Sequence, residues 1–231
     1  SGISPSLEGE EMGVNLPGFK KGDRTDIELP AVQRELIDAL HRAGKKIILV
    51  NCSGSPIGLE PETQKCEAIL QAWYPGQQGG KAVAEILFGD YNPAGKLPVT
   101  FYRNVSQLPD FEDYNMAGRT YRYMQDVPLF PFGYGLSYTT FGYGKTVLDK
   151  NELTAGQSLK LTVPVTNTGK RNGEEVVQVY LRKQGDAEGP IKTLRAFKRV
   201  SIPAGKTVNV EFDLKDKELE WWDDQSNTVR V

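Results

Sequence analysis

Hydrophobic positions follow two different periods along this chain, and the change falls near residue 145. In residues 26–44, Val32, Leu36, Ile37 and Leu40 recur at helical spacing behind an early Pro30, and Gly44 stands where a helix C-terminus is capped. One amphipathic helix is predicted there. Residues 46–51 are a short run rich in Ile and Val, which predicts a strand buried on both faces, as in a parallel sheet. The turn Cys52-Ser53-Gly54-Ser55-Pro56 follows at its carboxyl end. Residues 68–73 form the next apolar run and predict a second buried strand. Residues 74–80 are a Pro/Gly loop, after which helical spacing resumes through Ala82, Val83, Ile86 and Leu87 until Gly89 stops it. Asn92-Pro93 and Gly95 make a turn, and residues 97–101 start another extended segment. Strand, loop, helix, turn and strand in that order make a βαβ unit, whose ligands sit beyond the carboxyl ends of the strands. Residues 74–80 are thereby expected at the edge of a site.

The fold expected for residues 1–101 is therefore α/β, an αβα sandwich with a mostly parallel sheet. Residues 1–29 carry little periodicity, with Pro5, Pro17 and several glycines, and read as a long loop docked through Ile3, Leu7, Met12, Val14, Leu16 and Phe19. Residues 102–144 are rich in Pro, Gly and aromatics such as Tyr114, Tyr121, Phe130 and Tyr134. A flexible linker is polar, so this one is expected to be plastered across a domain surface. From Lys145 the period becomes two. Leu159, Leu161, Val163 and Val165 alternate with polar residues, as do Val177, Val179 and Leu181, and again Val208, Val210 and Phe212. Turns at Asn167-Thr168-Gly169 and Pro203-Ala204-Gly205 fit an antiparallel sandwich, so residues 145–231 are expected to be an all-β second domain.

Composition narrows the possible partners. The chain has 231 residues, 39% hydrophobic and 25% charged, enough for two domains with separate cores. A formal net charge of −2 offers no polybasic footprint, which argues against nucleic acid or an anionic membrane surface. No apolar run approaches the ~20 residues that span a bilayer. Cys52 and Cys66 are expected as two thiols without a bridge. His41 is the sole histidine, so no metal-ligand spacing exists, and its place ahead of Gly44 suggests an interaction with the helix C-terminus. The glycine-rich 75–80 loop opens a helix but lacks the Gly-Lys-Ser/Thr ending of a phosphate loop, since Ala82 follows Lys81. Trp73, Tyr74 and Tyr91 are expected mainly in packing roles, and one of Trp221 and Trp222 is expected to face the sandwich core.

Several stretches carry a family resemblance. WYPGQQGGKAVAEILFGDYNPAGKLPVTF at 73–101, followed by LFPFGYGLSYTTF at 129–141, resembles the C-terminal half of family 3 glycoside hydrolases. VTNTGKRNGEEVVQVYLR at 165–182 resembles the fibronectin type III-like module that ends many of them. The resemblance covers nearly the whole chain, with several separate motifs in the family's order. It implies the C-terminal portion of an exo-acting retaining β-glycosidase, with an oligosaccharide substrate, an N-terminal (β/α)8 barrel domain as partner, and no metal or organic cofactor. It further implies a periplasmic or extracellular location, a strand of the same domain ahead of Ser1, and a last strand beyond residues 228–231.

Glycoside hydrolysis needs two carboxyl groups flanking the scissile bond. Glu8, Glu10 and Glu11 crowd negative charge into four positions; from charge alone they read as a solvated acidic loop. The resemblance changes that reading, because the family's acid/base glutamate comes from such a loop ahead of a Gly-Asp-Arg element, here Gly22-Asp23-Arg24. Glu8 is the residue that aligns with the acid/base, with Glu10 and Glu11 as fallbacks. The family's nucleophile is an aspartate on the barrel, which no position here matches, so the chain alone is expected to be inactive. The LEGEEM and GDRTDIELP stretches are closer to the β-xylosidase branch than to the β-glucosidase branch. The alternative from another class is a non-catalytic carbohydrate-binding or domain-docking module.

Overall fold

The computed structural model describes residues 13, 17–20, 23–154, 156–223 and 228–230, with residues 23, 223 and 228–230 described by backbone alone. They form two compact units. The first comprises the described residues up to Phe88 together with Leu97–Tyr134, and the second comprises Gly89–Lys96 and the described residues from Gly135 onward.

The first unit opens with β1 (Phe19–Lys20) and β2 (Asp23–Arg24), a short antiparallel pair inside the stretch expected to be loop throughout. Helix α1 (Ala31–Arg42) follows directly on Pro30, whose fixed φ suits the entry to a helix. Its end is a Schellman motif: Gly44 N–H reaches His41 O at 2.9 Å and Lys45 N–H reaches Leu40 O at 3.0 Å. Gly44 takes a φ of +66°, which glycine adopts without a Cβ penalty. Strand β3 (Ile48–Asn51) pairs in parallel with β4 (Ala68–Gln71), with the short helix α2 (Glu60–Thr63) between them. Helix α3 (Gly79–Phe88) leaves the loop after β4.

Three expectations need correction here. Strand β3 is not buried on both faces: side chains alternate across it, Leu49 and Asn51 pack inward, and Ile48 on the opposite face is half exposed because the described residues leave that face open there. Of the four apolar positions of α1, Ile37 is buried, whereas Val32, Leu36 and Leu40 run along an exposed line. Residues 97–101 do not close a βαβ unit. Their backbone pairs in antiparallel fashion with residues 129–134, through Leu97 N–H to Tyr134 O at 2.8 Å and Phe101 N–H to Phe130 O at 2.9 Å. Pro98 lacks the N–H that a ladder requires. Phe101, only 1% exposed, still reaches the core formed with Leu29, Ile37, Ile47 and Leu59, and Leu129 and Phe130 pack against that core. A 3-10 turn (Val105–Gln107) and the single-turn helix α4 (Thr120–Tyr123) lie on the intervening stretch.

The second unit is a β-sandwich. Strands β5 (Phe141–Tyr143) and β6 (Val147–Leu148) pair with β7 (Leu159–Asn167), whose other edge pairs with β10 (Thr207–Leu214). Strands β8 (Gly173–Leu181) and β9 (Thr193–Ile202) make the second sheet. The helical turn α5 (Asp216–Leu219) leads to β11 (Trp221–Asp223), paired with β12 (Thr228–Arg230). The alternation read from the sequence faces inward as expected: Leu161, Val163, Val165, Val177, Val210 and Phe212 are all core residues. Trp221 lies under the Arg195 guanidinium at 4.6 Å, while Trp222 is exposed.

Candidate active site

Strands β3 and β4 end side by side, with Asn51 opposite Gln71 in register. Asn51 is buried, and its Nδ2 donates to Gln71 Oε1 at 2.6 Å and to Ser53 Oγ at 3.0 Å. Ser53 Oγ in turn donates to Ser55 O at 2.9 Å, and Gln71 Nε2 donates to Ser53 Oγ at 3.2 Å. Two parallel strands are thus locked together at their carboxyl ends by side chains, and the two loops that leave them share one frame. No member of this network ionises, so it holds loop geometry and moves no protons. The apolar-run pattern missed it, although both runs end on an amide, Ile-Leu-Val-Asn and Ala-Ile-Leu-Gln.

The loop after β4 carries Trp73 at a φ of +55°, an outlier for an aromatic side chain. Its ring meets Phe101 edge to face at 6.1 Å, which is the packing role expected of it. The next residue, Tyr74, is exposed and lies over the turn after β3: a Cβ on Gly54 would come within 2.6 Å of its ring. A side chain at position 54 would push Tyr74 away. Residues 74–78 remain exposed beyond the strand ends, the place where open parallel sheets present their sites.

The chain that leads into this unit is pinned by charge. Arg24 donates to Glu28 O at 2.6 Å and Asp26 Oδ1 at 3.2 Å, and its guanidinium covers the Phe19 ring at 5.1 Å. Arg34 bonds Glu62 through both carboxylate oxygens, at 2.9 and 3.3 Å, reaches Gly58 O at 2.9 Å, and pairs with Glu28 at 2.6 Å. Glu62 is fully buried. Burial works against the Arg34 charge, but the bonds to Glu62 and Glu28 outweigh it and hold the guanidinium above its ordinary range. Nothing in the spacing of Glu28, Arg34 and Glu62 marks them as a cluster, because three separate segments bring them together.

Glu8, Glu10, Glu11 and Gly22 lie outside the described residues, as does the side chain of Asp23. Cys52 and Cys66 are not bridged to each other. Tyr91, expected in a packing role, belongs to the second unit, where its hydroxyl donates to Glu174 at 3.2 Å and Arg199 bonds both. Among the described residues, no His/Cys/Asp/Glu group fit to hold a metal is found, and no helix is long and apolar enough to cross a membrane.

Comparison with known proteins places this architecture. A xylan 1,4-β-xylosidase of Xylanibacter ruminicola is 60% identical over 230 residues, all of this chain and 26% of that protein. A periplasmic β-glucosidase of Salmonella typhimurium is 39% identical over 95% of the chain and 30% of its own length. Among solved structures, a β-glucosidase from Erythrobacter marinus matches 94% of the chain and 29% of its own, with a TM-score of 0.79 and 41% identity. The chain thus spans between a quarter and a third of the length of these relatives. The fibronectin type III-like domain model matches residues 175–231. The model for the glycosyl hydrolase family 3 C-terminal domain matches residues 2–138, and with more than half of its length so accounted for, this chain belongs to that family.

Proposed function

We propose that this chain is the C-terminal portion of an exo-acting, retaining β-glycosidase of the β-xylosidase type. The observation that carries the reading is the 60% identity to a xylan 1,4-β-xylosidase across the whole chain. Glu8 is the acid/base. It protonates the departing oxygen in the first step and deprotonates the attacking water in the second. The nucleophile is an aspartate of the N-terminal barrel domain that the longer polypeptide carries, so the 231 residues alone do not turn over glycosides. The strand ends at Asn51 and Gln71, with Tyr74 above them, form one wall of the sugar pocket. A periplasmic or extracellular location accords with the periplasmic β-glucosidase among the relatives.

The test uses the longer polypeptide on aryl β-xylosides and β-glucosides with good and poor leaving groups. Glu8→Ala is expected to lose the poor leaving groups, to keep much of its glycosylation rate on the good ones, and to recover turnover with azide. Wild-type behaviour of Glu8→Ala on both classes overturns the assignment and moves it to Glu10 or Glu11.

A further inference from the structure

The loop between the 3-10 turn and α4 bonds its polar groups to its own chain at the surface and leaves its aromatic groups in water. Phe111 and Tyr114 are 90% and 89% exposed, the extreme values among the large apolar side chains of the described residues. Met116 is also exposed. The loop holds its shape through its own backbone. Arg119 donates from Nε to Asn115 O at 2.8 Å and from Nη2 to Asp110 O at 3.4 Å and to Asp113 O. Asp110 Oδ1 accepts from Glu112 N–H at 3.0 Å, and Asp113 Oδ1 accepts from Asn115 N–H at 2.9 Å and Nδ2 at 2.7 Å.

A second observation points the same way. Thr120, directly after the loop, sits at a φ of +57°, a region that a β-branched residue enters only under constraint. Tyr102 Oη accepts the Thr120 N–H at 3.1 Å and helps hold it there. Strain of this kind collects at surfaces that bind. Two aromatics held in water on a stiff frame have the character of interface anchors, which bury large area at small cost in side-chain entropy.

We propose that Phe111 and Tyr114 dock the N-terminal part of the longer polypeptide, the part to which the proposed function assigns the nucleophile; the inference rests on that reading. The occupant follows from two facts. The relatives extend over three to four times the length of this chain, so a large partner is supplied by the same polypeptide. A sugar is the poorer candidate, because the Arg119 guanidinium, one oxygen each of Asp110 and Asp113, and the Asn115 Nδ2 already bond within the loop, whereas a sugar ring stacked on an aromatic also needs polar partners for its hydroxyls.

The double variant Phe111→Ser/Tyr114→Ser is made in the 231-residue chain and in the longer polypeptide, and both are followed by thermal melting and amide hydrogen exchange. In the short chain the melting temperature is expected to stay within about 1 °C of wild type, since exposed side chains carry little stability. In the longer polypeptide it is expected to fall by about 4 °C or more, and the protection of amides 110–119 relative to the short chain is expected to vanish. Equal melting of variant and wild type in the longer polypeptide overturns the proposal. So does a concentration-dependent dimer of the short chain that the variant abolishes, or protection of the loop by xylo-oligosaccharide. No activity is measured, so failure of the Glu8 assignment leaves this test intact.

Discussion

Lys96 Nζ lies 3.2 Å from Glu175 Oε2, and both side chains are largely buried in the sandwich unit. Lys96 also donates to Gly135 O at 3.0 Å, and Tyr143 donates to Glu175 Oε1 at 2.9 Å. Three segments distant in sequence thus meet at one carboxylate. Asn92 adds to the same seam, donating to Asn172 O at 2.9 Å and accepting from Ser137 Oγ at 2.8 Å. Removing one partner of such a pair strands the other charge, which generally costs about 3 kcal/mol or more. Glu175→Gln is expected to lower stability by about 3 kcal/mol in urea melts. Lys96→Met combined with Glu175→Met is expected to recover most of the loss, and a double variant as weak as the single one refutes the pairing.

The Tyr143 phenol is pushed well above its ordinary value by burial first and by Glu175 second. A raised folded-state pKa means that its contribution is fully present below the unfolded value, about 10, and is lost as pH rises from there through the folded value. Tyr143→Phe is therefore expected to flatten the fall of the urea midpoint above about pH 10, and ultraviolet titration is expected to show one late-ionising phenol fewer. An unchanged alkaline profile counts against it.

Glu62 is fully buried and holds Arg34 through both oxygens. Glu62→Gln leaves the Arg34 charge with Glu28 alone, and the first unit is expected to lose about 3 kcal/mol by denaturant unfolding. A loss under about 1 kcal/mol places this pair with surface ion pairs instead.

Burial raises the Cys66 thiol, with Glu62 adding to the shift and Lys65 opposing it. Cys66 is expected to react with iodoacetamide more slowly at pH 8 in the native chain than in urea, because the thiolate is the nucleophile. Equal rates, read by peptide mass mapping, contradict the burial argument.

Thr120 occupies a left-handed conformation that Asn tolerates better. Thr120→Asn is expected to leave the fold intact and to stabilise it by up to about 1 kcal/mol. Destabilisation means that the Thr120 Oγ1 contact with the Arg122 N–H, 3.3 Å long, matters more than the strain.

The longer helices, the sandwich strands and the change of architecture were legible in the sequence because they are local, whereas β1, β2, α2 and α4 are too short to state a period. The spacing of Val163 and Val165, or of Gly44 after Leu40, states the period and the stop without any distant neighbour. The family was legible too, since its motifs are contiguous stretches. The direction taken by residues 97–101 was not, because an apolar extended run pairs equally well in either sense, and residues 129–134 decided it. The exposed line Val32, Leu36 and Leu40 likewise has a helical period that says nothing of which neighbour covers it. Tertiary structure alone decided the Asn51, Ser53 and Gln71 lock, the Arg34 cluster and the Lys96–Glu175 pair. A hydrogen bond or ion pair between remote residues leaves no periodic trace, whereas burial of an apolar face does, and that difference divides what this sequence determined from what only its folding could.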